Sequence, residues 1–370
     1  MVVAGWSGTT NLGDELLLRQ LLTLLGEQGC DATVVSADPE STAALHTVDA
    51  IGLGDGRGLW RALRRSQGLV LGPGTLLQDQ TSPASLPWHL SRIVTAAAAG
   101  RPVAGVGLGV GPLRRPGSHR LTGVAMRRCV GVAVRDPASA ALLAACGVRG
   151  VRTGCDLVLG LEPPSGAVHP RIAVSLRAHH GGGSVIPLRR HQPAAWDPDR
   201  VVALAAGLDD AARRTGLPLH LVAMDTDADA RFHQLVAAHL RTEHTLEVPT
   251  LDNVVATIGR SEVVIAMRYH AGVAALVGGR PMVLIGYTNK VDALAADIAG
   301  AAGHATPTAA SGPPATGVAR VADGPGGWND LGSAAQMVRP AAASVAAARQ
   351  RLAVGMDAHR HVLRALIDSR

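Results

Sequence analysis

Short apolar runs recur along the chain, each closed by glycine or a polar cluster and followed by a longer stretch of helical character. Residues 2–5, 32–36, 68–71, 103–106 and 131–134 read this way. A strand that alternates with a helix predicts βαβ units and a parallel sheet covered on both faces. The pattern restarts after Glu162-Pro163-Pro164-Ser165-Gly166 with 172–176, 219–224, 263–267 and 282–285, predicting a second parallel sheet. Two prolines stiffen that connection and Gly166 lets it turn. The expectation is therefore an α/β protein of two Rossmann-like doubly wound domains, residues 1–165 and 166–300. Residues 301–333, rich in Ala, Gly, Pro, Thr and Ser, are expected to form a low-complexity mobile spacer. In the tail, 334–370, Val345, Leu352, Val362, Leu363 and Leu366 suit an amphipathic helix that returns to the body.

A length of 370 residues fits two domains. The chain is 47% apolar yet has no run of about 20 apolar residues, which argues against a membrane span. Residues 1–5 have no basic flank or cleavage site of a secretory signal, so the expected location is the cytoplasm. Cys30, Cys129, Cys146 and Cys155 form no Cys-x-x-Cys pair and read as buried thiols. The formal charge is +6, but aromatic residues are only 2%, so few rings could stack on nucleic-acid bases. Small anions or a lipid diphosphate fit better than nucleic acid. Of 35 basic residues one is lysine, Lys290, which reads equally as chance survival or as a position where a compact, rotatable ammonium is wanted.

Candidate chemistry sits where strands end. Gly5-Trp6-Ser7-Gly8-Thr9-Thr10-Asn11-Leu12-Gly13-Asp14-Glu15 leads from the first strand into a helix, and reads equally as a ligand loop or as a helix capped by Asn11 and Asp14. It lacks the Lys-Ser/Thr of a P-loop. Gly72-Pro73-Gly74-Thr75-Leu76-Leu77-Gln78-Asp79-Gln80-Thr81-Ser82 presents polar groups suited to sugar hydroxyls. Gly105-x-Gly107-x-Gly109-x-Gly111 is not a dinucleotide fingerprint, because Pro112 and Arg114-Arg115-Pro116-Gly117 replace the helix that must follow. Asp225-x-Asp227-x-Asp229 reads as acidic capping at a helix start, not as a calcium loop or a sugar-nucleotide motif, with that helix around 232–240. The strongest set is Ser175-Leu176-Arg177, Met267-Arg268-Tyr269-His270 and Tyr287-Thr288-Asn289-Lys290, with Arg135-Asp136 from the last strand of the first domain. Four cations and one histidine at carboxyl strand ends suit a multiply charged anion. No metal ligation is expected.

These motifs, taken in order, resemble the polysaccharide pyruvyl transferases over residues 5–295: Gly-x-x-Gly-x-x-Asn-x-Gly-Asp-Glu, the Gln78-Asp79-x-Thr81-Ser82 loop, Gly-x-Gly-x-Gly-Pro, Val134-Arg135-Asp136, Ser175-x-Arg177 and Met267-Arg268-x-His270. The resemblance implies a GT-B-like fold and transfer of the enolpyruvyl group of phosphoenolpyruvate onto a sugar as a pyruvate ketal, in cell-wall or exopolysaccharide biosynthesis. The acceptor would be a glycan or a lipid-linked sugar, compatible with peripheral association at the inner face of the cell membrane. Phosphoenolpyruvate enters as donor substrate and no cofactor is called for. By motif, Arg135, Arg177, Arg268 and Lys290, with Ser175, would bind the donor, and His270 would be the acid/base residue. Asn11, Asp14, Gln78 and Asp79 would face the acceptor, with Asp14 and Asp79 candidates for proton removal. Two departures stand out: Pro73 replaces the middle of a triple glycine, and Cys155-Asp156-Leu157 stands where Asp-Pro is usual. The basic stretch 177–192, with His179, His180, Arg189, Arg190 and His191, matches no family pattern and reads as a flap or a solvated loop. The alternatives are a sugar-nucleotide GT-B glycosyltransferase and a non-catalytic glycan- or anion-binding protein.

Overall fold

A computed structural model describes residues 1–80, 82–177, 197–286, 289–301 and 316–369. The first sheet holds β1 (Val2–Ala4), β2 (Thr33–Ser36), β3 (Asp49–Gly52), β4 (Leu69–Leu71), β5 (Gly74–Leu77), β6 (Val103–Val110), β7 (Gly131–Val134) and β8 (Val151–Thr153). Its order is β3-β2-β1-β4-β6-β7-β8, with β5 paired to the distal half of β6. The second holds β9 (His169–Ser175), β10 (Leu219–Val222), β11 (His244–Glu247), β12 (Ser261–Ala266), β13 (Met282–Gly286) and β14 (Val318–Ala322). Its order is β11-β10-β9-β12-β13-β14. All pairings are parallel, and in both sheets the strand order reverses beside the first strand. Such switch points open a crevice at the carboxyl ends of the strands. The architecture is the expected GT-B-like pair of Rossmann-like domains.

Strands buried on both faces explain why the chain reads as continuous apolar runs rather than alternation. One core passes through both domains. It joins Leu16, Leu17 and Leu21 of the helix Leu12–Gly26, Leu157–Leu159 of a 3-10 turn, Val273 and Leu276 of the helix Tyr269–Val277, and Leu363 and Leu366 of the helix Met356–Asp368. The last of these packs on β6 and β7 of the first sheet, so the C-terminal helix returns to the body as expected. Full burial of each such leucine contributes roughly 1.5–3 kcal/mol.

The expected spacer 301–333 requires correction. Residues 318–322 form β14, which pairs with β13 over five positions and buries Val318 and Val321. The helices Pro325–Trp328 and Leu331–Val338 then pack on Pro198–Thr215. A five-residue strand needs only two inward valines, and the Ala/Gly-rich flanks concealed them. Residues 302–315 lie outside the described residues, as do Thr81, Tyr287, Thr288 and the basic stretch from 178 to 192.

Candidate active site

The first wall of the cleft is the turn after β1. Gly8 has φ +73°, and a β-carbon there would meet Ser36 Oγ at 2.1 Å, so the turn requires glycine. Glu15 holds the turn from beneath: its Oε1 accepts the Gly8 and Thr9 N–H groups at 2.9 and 3.1 Å, and its Oε2 lies 2.9 Å from His46 Nε2. Asn11 caps the helix Leu12–Gly26 through Gly13 N–H and donates from Nδ2 to Asp14 Oδ2 at 2.6 Å. The Asp14 carboxyl is held above its ordinary pKa, chiefly by desolvation, with His270, Asn11 and Lys290 pulling the other way. The capping and ligand-loop readings of this segment are therefore compatible: Asn11 caps, and Asp14 faces the cleft.

Asp79, in contrast, is taken out of the acceptor set. It is buried, and its oxygens accept Arg114 N–H and Arg115 N–H, each at 2.8 Å, and the Ser118 hydroxyl at 2.7 Å. These bonds outweigh desolvation and hold its pKa below the usual carboxylate value. It ties the 114–118 loop in place, a role that sequence spacing could not reveal because the partners are 35–39 residues away. Gln78 is half-buried, with Oε1 accepting Gln80 N–H at 2.8 Å.

The second wall comes from the ends of β9 and β12 and from the helices that follow β12 and β13. Ser175 is buried, with a hydroxyl that has no hydrogen-bond partner among the described residues, and so is placed behind the cleft surface. Arg268 was expected to meet an anionic donor. Its guanidinium instead forks onto Asp229 at 2.7 and 2.6 Å and lies 3.6 Å from Asp225. The acidic cluster thus divides its work. Asp225 accepts the Asp227 and Ala228 N–H groups at the start of the helix Ala228–Ala237, as the capping reading expects, while the fully buried Asp229 is the counter-ion of Arg268.

The walls meet at a seam of specific contacts. Leu12 N–H donates to Met224 O at 2.8 Å, Thr226 N–H to Thr10 O at 3.0 Å, and Thr10 Oγ1 to Asp225 Oδ1 at 2.9 Å. Gly13 lies against His270; a β-carbon at Gly13 would sit 2.2 Å from His270 Nδ1 and 2.9 Å from its Cβ. On the other side of the ring, His270 Nε2 is 3.6 Å from Asp156 Oδ2, and among the described residues neither buried atom has a hydrogen-bond partner. A slight approach would join them, fixing which imidazole nitrogen carries the proton. Asp156 caps the 3-10 turn by accepting Val158 N–H at 3.1 Å. Burial alone would raise its pKa, but His270, Arg135 and Val158 N–H together lower it.

Arg135 lies 3.3 Å from Asp136 and 3.7 Å from Asp156, and its guanidinium stacks over Tyr269 at 4.4 Å from the ring centroid. Lys290 occupies the first turn of the helix Asn289–Ala301. Its side chain is exposed, with Arg135, Asp14, Arg177 and Asp136 near enough to act on its charge. Desolvation and the charges of Arg135 and Arg177 bring its pKa down to about 7, against the opposing pull of Asp14 and Asp136.

Asp14, Arg135, Arg177, His270 and Lys290 are thus neighbours across the interdomain cleft, drawn from both domains. Asp156, Tyr269 and Asp229 also border these charges, which the sequence pattern does not reveal. Asp156 carried one signal, standing at a departure from the family pattern, but a lone acid before an apolar turn is locally indistinguishable from a cap. Asp229 was visible only as one of three acids.

The sequence profile of polysaccharide pyruvyl transferases matches residues 11–289. No curated protein matches the chain in sequence. In fold it is similar to Arabidopsis thaliana UGT89C1 complexed with UDP, with TM-score 0.61, 11% identity and 99% of each chain covered. It is similar also to S. aureus MnaA with UDP, with TM-score 0.60, 9% identity and 100% of this chain and 98% of the other covered. A third likeness, at TM-score 0.59 and 13% identity with 99% of each chain covered, is to Anabaena HepE in complex with UDP and glucose. Those identities speak for the two-domain fold alone. The profile spans three-quarters of the sequence and takes in the strand ends that build the cleft, so the chain belongs to the polysaccharide pyruvyl transferase family.

Proposed function

We propose that the protein transfers the enolpyruvyl group of phosphoenolpyruvate to a sugar of a polysaccharide or lipid-linked glycan, forming a pyruvate ketal and releasing phosphate. The observation that carries this reading is the gathering at the interdomain crevice of Arg177 and Lys290 with Arg135, which is buried beside Asp136 and Asp156; desolvation first, and then the two arginines, depress the Lys290 ammonium. Like charges so placed favour binding a polyanion, and phosphoenolpyruvate offers both a carboxylate and a phosphate. Arg135, prealigned by Asp136, Asp156 and Tyr269, meets the anion with little reorganisation.

His270 is the proton carrier. It protonates the methylene carbon of the enol as a sugar hydroxyl adds to C2, and that hydroxyl surrenders its proton. The C2–O bond to phosphate then breaks, with the developing charge met by the cations. A second hydroxyl of the same sugar attacks C2, its proton leaves with the phosphate, and the ketal closes. In this reading Asp14, which feels the charge of His270 and is held above its ordinary pKa by desolvation, accepts the hydroxyl proton. Asp79 is excluded from that step by its three bonds to the 114–118 loop. With Nε2 turned to Asp156, Nδ1 of His270 is the nitrogen that lies against Gly13.

Calorimetric titration with phosphoenolpyruvate, in parallel with UDP-glucose, tests the reading. Saturable phosphoenolpyruvate binding that Arg177→Ala weakens by about tenfold or more supports it. Binding of the nucleotide sugar with no response to phosphoenolpyruvate would make the protein a glycosyltransferase.

A further inference from the structure

We propose that the helix Gly56–Arg65 is a docking face for an anionic phospholipid surface. Its inner side is anchored by Leu59 and Leu63, both buried, and its start is capped by Asp55, whose Oδ1 accepts Gly58 N–H at 2.7 Å. The outward side carries Arg57, Arg61, Arg64 and Arg65 around Trp60, which is 41% exposed. No acidic residue lies within the helix. Among the described residues none of these four arginines forms an ion pair. At its last turn Arg101 donates from Nη2 to Arg64 O at 2.8 Å, adding a fifth guanidinium to the patch.

Arg57–Arg61, Arg61–Arg64 and Arg61–Arg65 are neighbours on one helix face, where like charges repel. A layer of lipid phosphates relieves that repulsion. An exposed indole flanked by guanidiniums is the combination that settles at a bilayer interface, with the ring among headgroups and acyl carbonyls. A nucleic acid would meet the charges equally well, but one isolated ring offers no succession of stacking platforms, so the lipid surface is favoured. The helix starts after β3, at the carboxyl edge of the first sheet where the cleft also opens, and runs down the sheet to Arg64, Arg65 and Arg101 at the amino edge, where β4 and β6 begin. A membrane on this flank would lie beside the domain that receives the acceptor. The lipid-borne acceptor rests on the function proposed above, whereas vesicle binding does not.

Co-sedimentation of the full chain with phosphatidylcholine vesicles, with and without phosphatidylglycerol, tests the proposal in wild type, in Arg57→Gln/Trp60→Ala/Arg61→Gln/Arg64→Gln/Arg65→Gln, and in a control, Arg128→Gln/Arg149→Gln/Arg152→Gln, that removes exposed arginines elsewhere. Wild type and control should bind the anionic vesicles, with the helix variant weaker on the order of 100-fold or more. Circular dichroism and thermal unfolding show whether the variants are folded. Equal loss in control and helix variant would mean diffuse charge attraction and overturn the proposal. So would unchanged binding in the helix variant, binding indifferent to phosphatidylglycerol, or no wild-type binding to either vesicle.

Discussion

Phosphoenolpyruvate binding should draw a proton from solution, and the amount should rise with pH in a way that Lys290 dictates. With a pKa of about 7, Lys290 is about nine-tenths charged at pH 6 and one-tenth charged at pH 8. An anion seated against it restores the ammonium toward its ordinary value near 10.4, so uptake should be about 0.1 proton at pH 6 and about 0.9 at pH 8. The same linkage makes affinity weaker at pH 8 than at pH 7, by at most about fivefold, because solvent at the exposed ammonium screens part of the effect. The donor's own phosphate ionises near pH 6, so measurements above pH 7 isolate the protein's share. Calorimetric titration in buffers of different ionisation enthalpy reads the proton number directly. In Lys290→Arg the charge is permanent, so binding should persist while most uptake and the pH slope vanish. Any uptake left in that variant belongs to groups such as Asp14. No buffer dependence at pH 8 in wild type, or equal uptake in wild type and Lys290→Arg, would refute a depressed Lys290 as the donor's contact.

Gly13→Ala should improve intrinsic helix propensity by up to about 1 kcal/mol yet abolish most turnover, because the new methyl occupies the His270 ring position and must displace it; comparison of kcat with the thermal midpoint separates the two effects. Asp156→Asn should lower kcat by on the order of 100-fold or more with donor affinity changed little, since an amide can donate to Nε2 and stabilise the wrong tautomer; 15N spectra of the His270 ring show which nitrogen is protonated, and an unaltered tautomer would refute the positioning role. Asp297, half-buried, has its pKa raised to about 6, first by desolvation and then by Asp136. The folded state then binds its proton more tightly than the unfolded chain, so stability falls as pH rises from about 4 through about 6. Asp297→Asn should therefore be more stable than wild type by about 1–2 kcal/mol at pH 7.5 and equal to it near pH 3, as urea melts at the two pH values would show.

Much of this protein was legible in one dimension. Apolar runs closed by glycine mark buried parallel strands because such strands have no solvated face, and the pause at 162–166 marks where one sheet ends and another begins. The cations at the carboxyl strand ends were legible for the same reason: parallel connectivity brings all those ends to one edge. The tertiary structure alone decided what each charge faces. Asp14 and Asp79 are both acids following glycine-rich strand ends, yet one borders His270 and Lys290 while the other is consumed by backbone N–H groups from a loop 35 residues away. Arg177 and Arg268 close equivalent strands, but Arg268 is held by Asp229 across 39 residues. Asp156 acquires its place beside His270 only when helices from the two domains pack into one core. Backbone pattern is a local property of the chain, whereas electrostatic environment is set by distant neighbours, and those are chosen by packing.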